Sequence, residues 1–147
     1  MSDLKPVSNK RLWASRVFIF IVLFINLQAS FLFWIFPARY SQSFELDGVV
    51  GETVIRALAI LFIMWNVPYV FAVIHPIQFK ISLLEAIFMQ AIGVIGEALI
   101  FLQLPESLTV LRQSIQRFIL FDGFGFSFLI FAFCLVHTKS FLGRIQI

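Results

Sequence analysis

Four ionisable side chains fall within or beside the predicted membrane spans on one and the same side of the membrane: Arg56, Glu97, Arg117 and Asp122. An unpaired charge at the centre of a bilayer costs at least about 2.5 kcal/mol, so such residues are functional candidates. By helix rise, Glu97 and Asp122 lie about 8 Å and 6 Å below one membrane boundary. Both arginines lie on that same side. The spacing therefore predicts an intramembrane polar cluster in which the two carboxylates pair with the two arginines.

The predicted cluster has two interpretations. Arginine suits such pairing because its planar guanidinium can hold a carboxylate with two hydrogen bonds and stays charged. The cluster is then either a polar pocket open to the outer face, which binds a head group or a small polar ligand, or a structural clamp that fixes the helix register. If the carboxylates point to lipid or to separate faces, the cluster does not form.

A neutral polar layer is predicted near the middle of the spans, formed by Asn26, Asn66 and Gln90. Side chains of this kind hydrogen-bond between membrane helices or line a cavity, and both interpretations stay open. Small residues beside the polar groups would allow close helix packing; they are Gly93, Gly96, Gly123 and Gly125.

Other reactive groups are few. The sequence holds no Ser/His/Asp set, no phosphate-binding loop and no cluster of Cys, His and carboxylates, so no catalytic residue and no metal site is predicted and an enzyme is the less favoured class. His75 and His137 end two spans, either as interfacial residues or as a haem-ligating pair. The single cysteine, Cys134, cannot form an intrachain disulfide.

The composition places the chain in a membrane. Of 147 residues, 61% are apolar, 13% are charged and 20 are Phe. A typical soluble domain is about half apolar and about a quarter charged. The net charge of +3 comes with no basic face, so nucleic acid is not an expected partner. The length predicts one transmembrane domain, residues 1–147.

Four apolar stretches have the roughly 20 residues that a bilayer crossing needs; they are residues 17–36, 56–74, 81–102 and 118–136. Their backbone groups must be paired within each segment, so they must be helices. The sequence thus predicts an all-α integral membrane four-helix bundle with antiparallel up-down topology. Pro68 should kink the second span because it removes a backbone hydrogen bond. Residues 106–116 have the apolar spacing of a short amphipathic helix in the outer interface, before the fourth span.

The distribution of Lys and Arg predicts the orientation. With both termini inside, the inner segments hold seven basic residues and the outer segments hold four. The inner residues are Lys5, Lys10, Arg11, Arg16, Lys80, Lys139 and Arg144, and the outer ones are Arg39, Arg56, Arg112 and Arg117. We therefore expect cytoplasmic termini in a bacterial-type inner (plasma) membrane. The first apolar stretch is too long for a signal peptide, so a retained helix is expected.

One family resemblance is carried by the segment Arg56-Ala-Leu-Ala-Ile-Leu-Phe and by Gly96-Glu97 in a later helix. Over residues 56–137 this pattern resembles the DoxX-type small four-helix membrane proteins, although here the arginine opens the second span rather than the first. The resemblance implies a membrane subunit tied to quinone or sulfur redox chemistry. It implies no catalytic residue in this chain.

Three functions follow from these features. The first is a non-catalytic accessory or structural subunit that packs against other membrane proteins, because reactive groups are few and the loops are short. The second is a lipid-, quinone- or pigment-binding protein with a polar site in the outer half of the bundle. The third is a DoxX-like redox-associated subunit. The expected surroundings are the lipid bilayer and other membrane subunits. No cofactor is predicted, and a bound lipid or quinone is the ligand class the sequence allows.

Overall fold

The computed structural model describes residues 7–142, with side chains through residue 137. Lys5, Arg144 and the side chain of Lys139, which contribute to the charge count, lie outside this range. The described chain forms helices and no strand; they are α1 (Asn9–Ile35), α2 (Pro37–Gln42), α3 (Gly48–Trp65), α4 (Val67–Ile74), α5 (Lys80–Gln103) and α6 (Thr109–Leu142).

The predicted fold class is confirmed. Four helical segments of the described chain are long and apolar enough to cross a membrane; they are Asn9–Ile35, Gly48–Ile74, Lys80–Gln103 and Thr109–His137. The second consists of α3 followed by α4. Every segment is longer than its predicted span, because the helices continue past the apolar stretch into polar residues that a hydropathy pattern alone does not assign.

The four spans form a bundle in which consecutive spans run antiparallel. α1 packs against α3, α4 and α6, and α5 packs against α4 and α6, so α1 and α5 occupy opposite corners. We call the end that holds the start of α1 and the α4–α5 turn the terminal end. The distal end holds α2 and the α5–α6 turn.

Two apolar clusters fill the bundle. The terminal-end cluster contains buried residues from α1, α4, α5 and α6, among them Ile19, Leu83 and Leu129. The distal-end cluster is built around Phe33, Ile55 and Ala59, and rings from several helices pack against it; they are Tyr40, Phe44, Phe62 and Phe118. The midspan polar residues of the sequence fall between these two clusters.

The prediction of a separate interfacial helix over residues 106–116 is wrong, because this segment is not separate from the fourth span. α6 begins at Thr109 and continues without a break through the fourth span, so most of that segment forms the first turns of α6. Ser114 and Ile115 are buried against the bundle, and Ser114 Oγ donates to the Ser43 carbonyl at 2.5 Å. With no Pro or Gly between residues 109 and 122, nothing in the sequence interrupts the helix.

Candidate functional site

Two acidic residues lie on the neighbouring helices α5 and α6. Glu97 is on α5, one turn along from Gly93, and Asp122 is on α6. Asp122 packs directly against Gly93, so closely that a β-carbon there would collide with its carboxylate oxygen. Glu97 is half-buried, and its Oε2 is enclosed without a hydrogen-bond partner among the described residues. Two neighbouring candidate membrane spans thus each hold an acid that makes no ion pair among the described residues.

The predicted arginine partners are placed elsewhere. Arg56 pairs with Glu52 one turn earlier on α3, at 3.4 Å, and is itself exposed. Arg117 donates to Ser114 Oγ at 2.9 Å on its own helix. The predicted pairing of Glu97 and Asp122 with these arginines is therefore wrong. Each arginine instead has its short-range partner three or four residues away on its own helix.

The amide layer converges on Tyr69 of α4. Its hydroxyl donates to the Ala86 carbonyl at 3.3 Å and also interacts with the side chains of Asn26 and Gln90. Tyr69 and Gln90 are only 2% and 4% exposed. Together with Asp122 of α6, which lies near Tyr69, the layer draws residues from all four spans. We call this set, with Glu97, the polar network.

The Asn66 side chain forms its hydrogen bond with a backbone carbonyl and not with a side chain of the polar network. Asn66 is the residue between α3 and α4, where Pro68 cannot donate a backbone hydrogen bond. Its own N–H bonds to the Ile63 carbonyl, and its side-chain Nδ2 donates to the Phe62 carbonyl at 2.6 Å. The side-chain amide thus takes the place of the Asn66 N–H at the Phe62 carbonyl, which that N–H would bond in a regular helix. Its Oδ1 is buried without a partner among the described side chains.

The four glycines have different surroundings. A β-carbon at Gly125 would lie 2.5 Å from Gln90 Nε2, and one at Gly93 would meet Asp122. At Gly96 and Gly123 a β-carbon would meet no atom within 4 Å. Only Gly93 and Gly125 therefore make room for members of the polar network.

An apolar groove lies between α1 and α6. Its volume is about 210 Å³, and it opens toward the lipid. Phe121, Phe124 and Phe128 line it from α6, and α1 contributes Ile21, Val22 and Ile25. Gly125, the glycine against which the Gln90 amide packs, is also one of the lining residues. A lining without polar groups suits hydrocarbon chains.

The two histidines make separate contacts at the terminal end. His75 Nδ1 accepts a hydrogen bond from the Gln78 N–H at 3.1 Å. The His137 ring stacks on Phe133 with centroids 4.4 Å apart, and Lys80 Nζ lies 5.7 Å from the Phe133 ring centre. Over the described residues, no group of three or more His, Cys, Asp or Glu is arranged to hold a metal.

Sequence reasoning missed Tyr69. The chain has 20 Phe and only 2 Tyr, so a phenol inside a span stands out against a background of phenyl rings. A buried tyrosine usually needs a hydrogen-bond partner, which was the available signal.

No family model, curated protein or solved structure matches the chain. The site is therefore interpreted from its geometry.

Proposed function

We propose that this integral membrane protein binds a lipophilic molecule, holding its polar head group at Glu97 and Asp122. The observation that carries the proposal is the Glu97 carboxyl group, which lies within a membrane span with an enclosed oxygen and no hydrogen-bond donor among the described residues. A buried acceptor left unbonded costs about 1–3 kcal/mol. A bound molecule that supplies a donor removes this cost.

The location of the acids restricts the ligand class. Glu97 is half-buried on α5 within a helix that is apolar enough to cross a membrane, so we expect a molecule that binds it to arrive from the bilayer. The molecule must then be soluble in the bilayer, as lipids, quinones and pigments are. A carboxylate accepts hydrogen bonds, so the head group should carry an O–H or N–H. The proposed role is binding or carriage and involves no catalytic residue.

The proposal is tested by isolating the protein with its surrounding lipid in polymer nanodiscs and identifying small molecules by mass spectrometry. We expect one lipophilic molecule to be enriched over bulk membrane lipid. Glu97→Gln and Asp122→Asn should each lower its amount about tenfold, the effect of weakening one charge-assisted hydrogen bond. Glu85→Gln is the matched control, because Glu85 is an exposed acid on the same helix.

Two results would reject the proposal: no molecule enriched with the wild-type chain, or full retention in both acid variants. Elution volume and thermal melting of each variant identify a protein that has failed to fold. Gly93→Ala provides a second test that keeps both acids. It should displace the Asp122 carboxyl and lower the bound amount, whereas Gly96→Ala should not.

The accessory subunit is the second candidate. Apart from Glu97, the polar network has partners inside the bundle and needs no ligand to satisfy it: Tyr69 bonds across to α5, and Gln90 packs on Gly125 of α6. Such contacts also suit a network whose only role is to hold the bundle together. The same preparation distinguishes the two functions, because an accessory subunit would be isolated with a stoichiometric protein partner and no enriched small molecule. A redox-active ligand would favour the DoxX-like redox function.

A further inference from the structure

A glutamine faces the lipid on α1. Gln28 is exposed, and it belongs to a stripe of exposed large side chains at helical spacings of four, four, three and four residues; the stripe consists of Phe20, Phe24, Gln28, Phe31 and Ile35. The α1 stripe, as we name it, lies beside the groove and away from the buried polar network. Gln28 is its only polar member.

The depth of Gln28 follows from the tryptophans of α1. Trp13 and Trp34 are both exposed and lie about 32 Å apart by helix rise. This matches a hydrocarbon thickness of about 30 Å with an aromatic residue at each interface. Gln28 then lies about 9 Å below the interface marked by Trp34.

The side chain cannot easily reach that interface. Helical side chains lean toward the N-terminus of their own helix, and the N-terminus of α1 is at the terminal end. The Gln28 amide is therefore directed deeper into the hydrocarbon. Within the described part of the chain, no hydrogen bond satisfies it. A lipid-facing amide with two donor hydrogens and an acceptor oxygen thus lacks a partner in the isolated chain.

We propose that the α1 stripe is the interface of a parallel homodimer in which the two Gln28 amides bond to each other. Copies inserted in the same direction place Gln28 at the same depth. In a two-fold symmetric interface, a residue near the axis meets its own counterpart. A primary amide complements itself, because each donates an N–H to the other's carbonyl oxygen.

The rest of the stripe suits close packing. Phe24 and Phe31 flank Gln28 one turn away on either side and are 56% and 57% exposed. Their rings can pack across the axis and exclude lipid from the amide pair. A different membrane protein would have to offer a polar group at this same depth, whereas a second copy does so by symmetry. We therefore expect a second copy of the chain, rather than a different protein, to pack on the α1 stripe.

Crosslinking in native membranes tests the geometry. In a Cys134→Ser background, Phe31→Cys should form a disulfide-linked dimer on mild oxidation. Leu99→Cys is the matched control, because Leu99 is 53% exposed on α5 at the opposite corner of the bundle. Equal crosslinking at the two positions, no dimer at Phe31→Cys, or a crosslink there to another protein would overturn the proposal.

Sedimentation equilibrium of the full chain in mild detergent tests the role of the amide. Gln28→Leu should weaken the dimer about tenfold, as expected from the loss of a short-range amide pair in an apolar medium. Gln103→Leu, an exposed glutamine at the distal end of α5, should leave the dissociation constant unchanged. A wild-type monomer at all concentrations, or no difference between Gln28→Leu and the wild type, would contradict the amide pair.

Discussion

At the residue scale, Gly93 and Gly125 mark the points where polar side chains fit into the α5–α6 seam. We expect Gly93→Ala and Gly125→Ala each to destabilise the protein by about 1–3 kcal/mol, because a methyl group must displace the Asp122 carboxyl or the Gln90 amide. Gly96→Ala and Gly123→Ala should be neutral, or stabilising by up to about 1 kcal/mol, since Ala is the better helix former.

Thermal melting in detergent, followed by circular dichroism, measures this difference for all four variants. Each control lies on the same helix as the variant it matches, within one turn. Equal melting temperatures across the four would show that the polar side chains do not depend on the missing β-carbons. The contacts assigned to Asp122 and Gln90 would then be incorrect.

The sequence could place polar residues within the spans, and it could not give their partners. Asn26, Gln90 and Asp122 lie within helices that are long and apolar enough to cross a membrane, and their depths stay predictions. The partner of a carboxylate, however, depends on the rotation of its helix about its own axis. Counting residues along a span gives no information about that rotation. The prediction therefore joined Glu97 and Asp122 to Arg56 and Arg117, whereas Arg56 pairs with Glu52 on its own helix.

At the element scale, arginine side chains cap the C-terminal ends of two helices by donating to their free carbonyls, which the hydropathy pattern does not predict. Arg112 donates to the Phe101 and Leu104 carbonyls at 3.2 Å and 2.6 Å, at the C-terminus of α5, and lies over the Phe101 ring. Arg16 donates to the Val73 carbonyl at the end of α4 at 2.8 Å. Cations are favoured at helix C-termini, where backbone carbonyls lack partners. Sequence analysis could assign these residues only as charges near the ends of spans.

The kink between α3 and α4 gives a prediction with an internal control. Asn66→Leu removes the amide that donates to the Phe62 carbonyl and should destabilise the protein by about 1–2 kcal/mol. In a Pro68→Ala background the cost should be smaller, because the substituted alanine restores a backbone donor and the helix can straighten across the break.

A double-mutant cycle of thermal melting measures this coupling, and we expect it to be about 0.5 kcal/mol or more. Additive effects would mean that Asn66 acts independently of Pro68. The kink itself was predictable, since a proline within a span removes a known hydrogen bond. Which carbonyl the Asn66 side chain bonds, that of Phe62, depends on the local geometry of the break and could not be predicted.

At the scale of the whole molecule, the four-helix architecture could be predicted because hydrocarbon leaves a backbone few alternatives. The continuity of α6 could not, because an amphipathic segment has the same periodicity whether it lies in the interface or begins a span. Burial of Ser114 and Ile115 against the bundle decides between the two. That contact is tertiary and cannot be read from local spacing.

The orientation of the bundle stays a prediction from the charge distribution. We expect a fluorescent protein fused to the C-terminal end to fluoresce in a bacterial host, and alkaline phosphatase to be active when inserted near Glu45 in the distal turn but inactive at the C-terminus. The physical reason is that basic loops resist translocation. Two of the distal arginines also have partners within the protein. Arg56 forms a salt bridge with Glu52, and Arg112 donates to a carbonyl at the end of α5.

Substituting basic residues tests whether the charge distribution determines the membrane orientation. Replacing Lys10, Arg11 and Lys80 by Gln lowers the terminal-end count from seven to four, equal to the distal count of four. We then expect a mixed population in which both reporters give signal at the same position. Arg39→Gln is the control, because it widens the original difference from three to four and should leave the orientation uniform. Phosphatase activity at the C-terminus of the wild-type chain would contradict cytoplasmic termini, and an unmixed triple variant would show that the orientation is set by something other than these charges.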